Sequence, residues 1–243
     1  MKKLSLIIAI VFITMSVQAQ NNVVKLGLSN IFTGGINLEY EYVLSERSSV
    51  LGELGIQIPL AVPQSIFDRV ESIGANNNLE FREGTYGGVY VAGEYRFYTS
   101  GNAPQGFYVA PYVKLGNRSF QLTGSYTNDN TGNSVDASAE LNVFTINLGG
   151  QIGYQFVVQD KFTISWNIIG LGLGLNRPKG TFRANDNGVF NDFAADTQAF
   201  IDDIPILNNI DLVPDEISKE ISAGGGFIPF VGTRASLSIG YIF

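Results

Sequence analysis

Residues 144–156 read Phe-Thr-Ile-Asn-Leu-Gly-Gly-Gln-Ile-Gly-Tyr-Gln-Phe. Phe144, Ile146, Leu148, Ile152, Tyr154 and Phe156 hold the even positions, and Thr145, Asn147, Gln151 and Gln155 the odd ones. Side chains that alternate with period two belong to an extended strand, because a helix would spread both sets around its circumference. The run is also long enough to cross a bilayer, which takes a tilted strand of roughly 9–11 residues with apolar groups toward lipid and polar groups toward a lumen.

The pattern recurs along the chain. Val24, Leu26 and Leu28 alternate with Lys25, Gly27 and Ser29, and Ile36, Leu38, Tyr40 and Tyr42 with Asn37, Glu39 and Glu41. Val50, Leu54, Ile56 and Ile58 oppose Glu53, Gly55 and Gln57; Val89, Val91, Tyr95 and Phe97 oppose Tyr90, Glu94 and Arg96. Phe107, Val109, Val113 and Leu115 oppose Tyr108, Tyr112 and Lys114, and Phe162, Ile164, Trp166 and Ile168 oppose Thr163, Ser165 and Asn167. Ala235, Leu237, Ile239, Tyr241 and Phe243 end the chain against Arg234, Ser236, Ser238 and Gly240. The expected fold is all-β: a transmembrane antiparallel up-and-down barrel of about eight strands, with ten as the alternative. Two irregularities stand out. The apolar set changes parity from Ile169 to Leu175, as at a bulge or an end of lipid contact, and Pro111 removes one ladder hydrogen bond.

The connections agree with this count. Leu44–Ser48, Thr99–Gly106 and Val157–Lys161 are short and turn-rich, whereas Pro59–Gly84, Asn117–Glu140 and Asn176–Gly232 are long, and only the first hairpin, through Thr33 and Gly34, is short on their side. An N-terminus on the periplasmic side makes the short set periplasmic and the long set extracellular, as in outer-membrane barrels. The outward aromatics, from Tyr40 and Tyr42 to Tyr241 and Phe243, gather beside the short turns like an interfacial girdle, for which a secreted sandwich gives no reason.

The ends and the composition set the compartment. Lys2 and Lys3, the apolar run Leu4–Met15 and small residues at Val17 and Ala19 form a secretory signal over 1–19, leaving 20–243 as the barrel domain. Its removal takes the net charge from −7 to −9, which argues against nucleic acid as a partner. The chain has no Cys and no His, so it lacks a lipoprotein anchor, disulfides, a thiol nucleophile and the usual general base. The reading is therefore non-enzymatic. A Ser-Lys site or a carboxylate pair such as Asp202 and Asp203 is the catalytic chemistry the composition leaves. Neither cofactor nor metal is expected, since Asp202, Asp203, Asp211, Asp215 and Glu216 lack an Asp-x-Asp-x-Asp-Gly spacing.

Ile36–Leu44, Gly93–Tyr98, Gly106–Tyr112 and Leu237–Phe243 together resemble the small Gram-negative outer-membrane barrels typified by the transmembrane domain of outer-membrane protein A, and more narrowly uncharacterised Bacteroidota barrels. The resemblance covers most of 20–243 at the level of pattern. It implies insertion among outer-membrane lipid and lipopolysaccharide. It also implies that Tyr241 and Phe243 serve as the C-terminal signal for the barrel-assembly machinery.

Lys25, Glu39, Glu41, Glu53, Glu94, Arg96, Lys114 and Arg234 all fall on the inward parity. Side chains can fill an eight-stranded interior, and charges enclosed there are expected to pair. A structural or surface-interaction role follows, with a narrow channel or a transporter for small or hydrophobic ligands as the alternative. In the region 176–232, Phe193, Phe200 and Ile201 recur at helical spacing over Asn191–Asp203, and Pro214 opens a second candidate helix to Ile221; a third runs from Pro63 to Gly74. Such amphipathic pieces are suited to cap the mouth, lie on the outer leaflet, or, over 191–222, face an extracellular partner.

Overall fold

A computed structural model describes residues 22–31, 34–65, 67, 78–128, 131–185, 190–202, 210–215 and 219–243. The expected signal over 1–19 lies outside them, as does most of the helix expected over Pro63–Gly74, of which 64, 65 and 67 are described and helical. The elements are β1 (Asn22–Gly27), β2 (Gly35–Ser45), β3 (Ser48–Ala61), β4 (Leu79–Tyr98), β5 (Gly106–Thr127), β6 (Ser134–Val158), β7 (Phe162–Ala184), helix α1 (Phe190–Asp202), β8 (Ile210–Asp215), β9 (Glu220–Gly225) and β10 (Ile228–Ile242). Every pairing is antiparallel, and β10 closes a ring by joining both β7 and β1. The sheet holds ten strands, of which β8 and β9 stand outside the ring as a hairpin hung on Lys179–Arg183 of β7. The ring therefore has eight.

Strand tilt follows from register. The row of paired residues from Leu26 through Leu38, Leu54, Val91, Leu115, Ile146 and Leu175 reaches β10 at Pro229, although Leu26 itself pairs with Ile239. A closed ladder with that stagger forces its strands to lean on the barrel axis. The irregularity expected after Ile168 is a bulge: Ile152 pairs with Ile169 but Gly153 with Asn167, leaving Ile168 and Ile169 both outward. At Pro111 the ladder to β4 has a gap, its pairs running from Glu94 and Tyr112 directly to Phe97 and Val109.

The short connections are tight turns. Ser45 pairs with Ser48 across Glu46 and Arg47, and Val158 pairs with Phe162 across a turn in which Gln159 and Asp160 hold φ of 53° and 57°. The long connections differ from expectation, because much of them is strand. β5 runs on to Thr127, β6 begins at Ser134, β7 continues to Ala184 and β4 begins at Leu79. Alternation persists there with its faces exchanged, which is why tracking the outward apolar parity ends each strand too early. On β5 the outward row Val109, Val113, Leu115 gives way to Asn117, Ser119 and Gln121, while apolar residues move to the inner row at Phe120, Leu122 and Tyr126.

This upper part is an open sheet ordered β4-β5-β6-β7-β9-β8, and α1 covers its concave face. Phe190 and Phe193 of α1 are buried with Phe81, Tyr126, Val135, Ala137, Phe182, Ile210 and Ile221, and Phe193 meets the Tyr126 ring edge-on at 5.2 Å. The helix expected over Asn191–Asp203 thus exists, whereas the one expected over Pro214–Ile221 does not. Pro214 lies in β8 and Ile221 in β9, where Ile221 pairs with both Pro214 and Phe182 and its side chain is fully buried. Proline is tolerated on β8 because that strand is a sheet edge, and Asp211 and Asp215 beside it discourage pairing with another chain.

Candidate functional site

Each inward position of the lower ring is set by strand parity, so side chains from β1 to β7 and β10 meet on the axis. Glu41 of β2 is the hub. Its Oε2 lies 2.5 Å from Lys25 Nζ of β1 and 3.5 Å from Arg96 Nη1 of β4, and its Oε1 accepts hydrogen bonds from Ser49 Oγ at 2.5 Å and Tyr98 Oη at 2.6 Å. Gln155 of β6 ties the same three charges together: its Oε1 accepts from Lys25 Nζ at 2.7 Å and Arg96 Nη1 at 3.0 Å, and its Nε2 donates to Glu41 at 3.2 Å. Arg96 Nε donates to Glu94 at 2.9 Å, and its guanidinium lies 4.5 Å above the Tyr108 ring. Glu41, Arg96 and Tyr108 have 0% exposure. This layer therefore fills the cross-section.

Arg234 extends the network upward. It donates through Nη2 to Glu53 and sits 2.8 Å from Glu94 Oε1 through Nη1, off the direction of a hydrogen bond. Six of the eight charges singled out from sequence are joined in this way. Glu39 instead accepts from Asn37 at 3.3 Å and Ser238 at 3.2 Å. Lys114, counted with the network from its parity, stands apart: it lies 3.6 Å over the Tyr90 ring, while Glu53 is held by Arg234 and by Tyr90 Oη at 2.7 Å. Removing one member of so dry a network strands its partners, which costs several kcal/mol.

Parity placed the uncharged members inward but did not rank them. Tyr98, Tyr108, Gln155 and Asn167 carry much of the connectivity, and Tyr108 Oη donates to Asn167. A usable signal was the glycine beside some of the large rings. A Cβ at Gly153 would lie 2.4 Å from Tyr108 Cζ, so an aromatic occupies the space there, and one at Gly149 would meet the Leu171 carbonyl oxygen at 2.3 Å as well as Tyr112 Cζ at 2.7 Å.

Outside the ring the apolar row is exposed, as at Leu38 (55%), Leu148 (59%) and Leu173 (73%). Tyr241 is outward and packs edge-on against Phe162 at 5.7 Å, while Phe243 is held by its amide to Asn22 O at 3.0 Å. Asp211 and Asp215 lie on the β8 edge; Asp203, Glu216 and the Asp202 side chain lie outside the described residues. Among the described residues, no group of three or more acidic side chains is arranged to hold a metal, and no helix is long and apolar enough to cross a membrane.

No family model matches the chain, and no curated protein matches it. Among solved structures it is similar to one described as the crystal structure of a major outer membrane protein from Thermus thermophilus, at 15% identity and a TM-score of 0.42, over 93% of this chain and 100% of that one.

Proposed function

We propose that the chain is an integral outer-membrane barrel, closed to passive flow, that serves the cell envelope as a structural and surface-interaction protein. The observation that carries this reading is the layer of Glu41, Arg96, Lys25, Gln155 and Tyr108, which leaves no exposed side chain across the lower lumen. Such charges balance one another rather than line a path. In this reading residues 1–19 are a secretion signal, the short turns face the periplasm, and the polar open sheet stands outside the cell. The outward belt then contacts lipid and lipopolysaccharide, and Tyr241 and Phe243 present the C-terminal strand to the assembly machinery. The role is non-enzymatic: the chain has no His or Cys, and its buried carboxylates are spent on cations, hydroxyls and amides.

Contact with an extracellular partner falls to the polar outside of the open sheet and α1, since Phe190 and Phe193 are consumed in its core. One place for it is a depression of about 740 Å³ lined by Arg82, Asp136, Ser138, Arg183 and Lys219. Single-channel recording in planar bilayers tests the closed reading. The refolded protein is expected to be silent, and a steady unitary conductance would favour the alternative, a narrow channel.

A further inference from the structure

Between the sealed polar layer below and the sealed apolar core above, the inner wall changes character. Lys114 and Arg118 lie four residues apart on β5, so both occupy its inner face, and here side chains are no longer closed off: Lys114, Tyr90, Phe120 and Phe230 are half-buried and Arg118 is exposed. Among the described residues, neither cation has a carboxylate within ion-pairing distance, since Glu53 is held by Arg234 and Tyr90 and Glu94 by Arg96 and Arg234. Two neighbouring cations in a half-enclosed space call for an anion.

The surroundings of the cations are aromatic. Tyr86 stacks on Phe120 with centroids 6.4 Å apart, and the rings of Tyr90 and Phe230 are laid flat on the wall. A Cβ at Gly55 would fall 2.1 Å from Tyr90 Cε1, and one at Gly174 2.2 Å from Phe230 Cε1. The two rings thus lie against the bare glycine backbone. The wall is also low on one side. Among the described residues, β1 pairs with β10 from Ser238 to Ile242, and from Ile228 to Ser236 the strand partner of β10 is β7. That notch sits near the height where the outward face turns from Leu175 to Arg177, the upper limit of the lipid belt.

We propose that this vestibule binds an amphipathic anion of the long-chain carboxylate class, with its head on Lys114 and Arg118 and its chain along Tyr86, Phe120 and Phe230. A site with a few placed polar groups on an apolar lining is the usual make-up of a small-molecule pocket. The proposal does not depend on whether the layer below conducts.

The test uses the refolded protein in nanodiscs of zwitterionic lipid, titrated with palmitate and with methyl palmitate against a fluorescent fatty acid, with empty nanodiscs subtracted. Palmitate is expected to displace the probe at least about tenfold more effectively than its ester. Lys114→Met with Arg118→Met should abolish that preference, and Lys114→Arg with Arg118→Lys should keep it. Equal displacement by acid and ester, or a preference surviving in the double Met variant, overturns the proposal. Displacement by acetate or inorganic phosphate as strong as by palmitate also overturns it, because a bare anion site would not need the rings. The heat-modifiable gel shift of each sample reports the barrel separately.

Discussion

The two halves of this molecule are built on the same strands and turned inside out relative to each other. Below Asn117 on β5, and below the matching points of β6 and β7, the outward row is Val, Leu, Ile and Phe and the inward row is Tyr, Lys, Gln, Asn, Ser and Thr. Above them the outward row is Ser, Gln, Lys and Arg and the inward row becomes Leu122, Ala139 and Phe182. In the proposed outer-membrane setting the lower half faces lipid, where an outward apolar side chain costs nothing. Most of the enclosed polar groups pair with one another, while a few, such as Arg96 Nη2 and Gln151 Oε1, are left without a hydrogen bond among the described residues. The upper half faces water, so it builds an ordinary core with a helix over it. The strand backbone is indifferent to the change, and only the surrounding solvent decides which parity is apolar.

The largest expected effect comes from breaking the lower half at its hub. Glu41→Ala leaves Lys25 and Arg96 buried without their shared carboxylate and should cost about 3–5 kcal/mol, read as a lowered urea midpoint of the heat-modifiable gel shift. Protease resistance of the upper sheet in folded molecules should be unchanged. A midpoint within error of wild type would mean the charges are hydrated, and the closed lumen would have to be abandoned.

Breaking the upper half should do the reverse. Phe193→Ala opens a cavity beside Tyr126 and should destabilise the open sheet by about 3 kcal/mol. Limited proteolysis above Asn117 should accelerate while the gel shift of the ring stays in place. Coincident loss of both would show that the halves fold as one unit and that the boundary between them is only compositional.

How far the sequence could be read follows from the same inversion. The eight ring strands and the short turns were legible because an outward apolar parity repeats between turn-rich breaks, the Ile168 bulge because that parity shifts once after Ile168, and residues 144–156 alone nearly decide the class. The upper continuation of β4 to β7 was not legible, because a reader following Phe144 and Ile146 meets Asn142 and Glu140 and concludes that the strand has stopped. The hairpin of β8 and β9 was hidden by Pro214, a helix-opening residue that is equally at home on a sheet edge. In the lumen, parity identified which charges face inward but not who pairs with whom. Lys114 shares the inward parity of Lys25, yet Lys25 is buried against Glu41 while Lys114 lies higher, half-buried over the Tyr90 ring, a fact of register rather than of residue type.

A paired substitution sharpens the boundary itself. Leu148 and Asn142 share the outward face of β6 on either side of it. Leu148→Arg should cost about 2–4 kcal/mol in a bilayer, whereas Asn142→Arg should stay within about 0.5 kcal/mol. Refolding titrations in lipid vesicles measure both. If the two costs were equal, the edge of the lipid belt would have been drawn in the wrong place, and the vestibule notch would have to move with it.

The smallest effect concerns a place that belongs to neither face. Gln159 and Asp160 both hold left-handed backbone in the turn between β6 and β7, a conformation that suits Asn and Gly better than Gln and Asp. Gln159→Asn with Asp160→Gly should therefore stabilise the ring by roughly 1 kcal/mol or less, seen as a small rise in the urea midpoint of the gel shift. Because the turn lies at the lower end, proteolysis of the upper sheet should not slow at all. If it did slow, stability would pass along β6 and β7 from one half to the other, and the shared strands would couple what the two solvents keep apart.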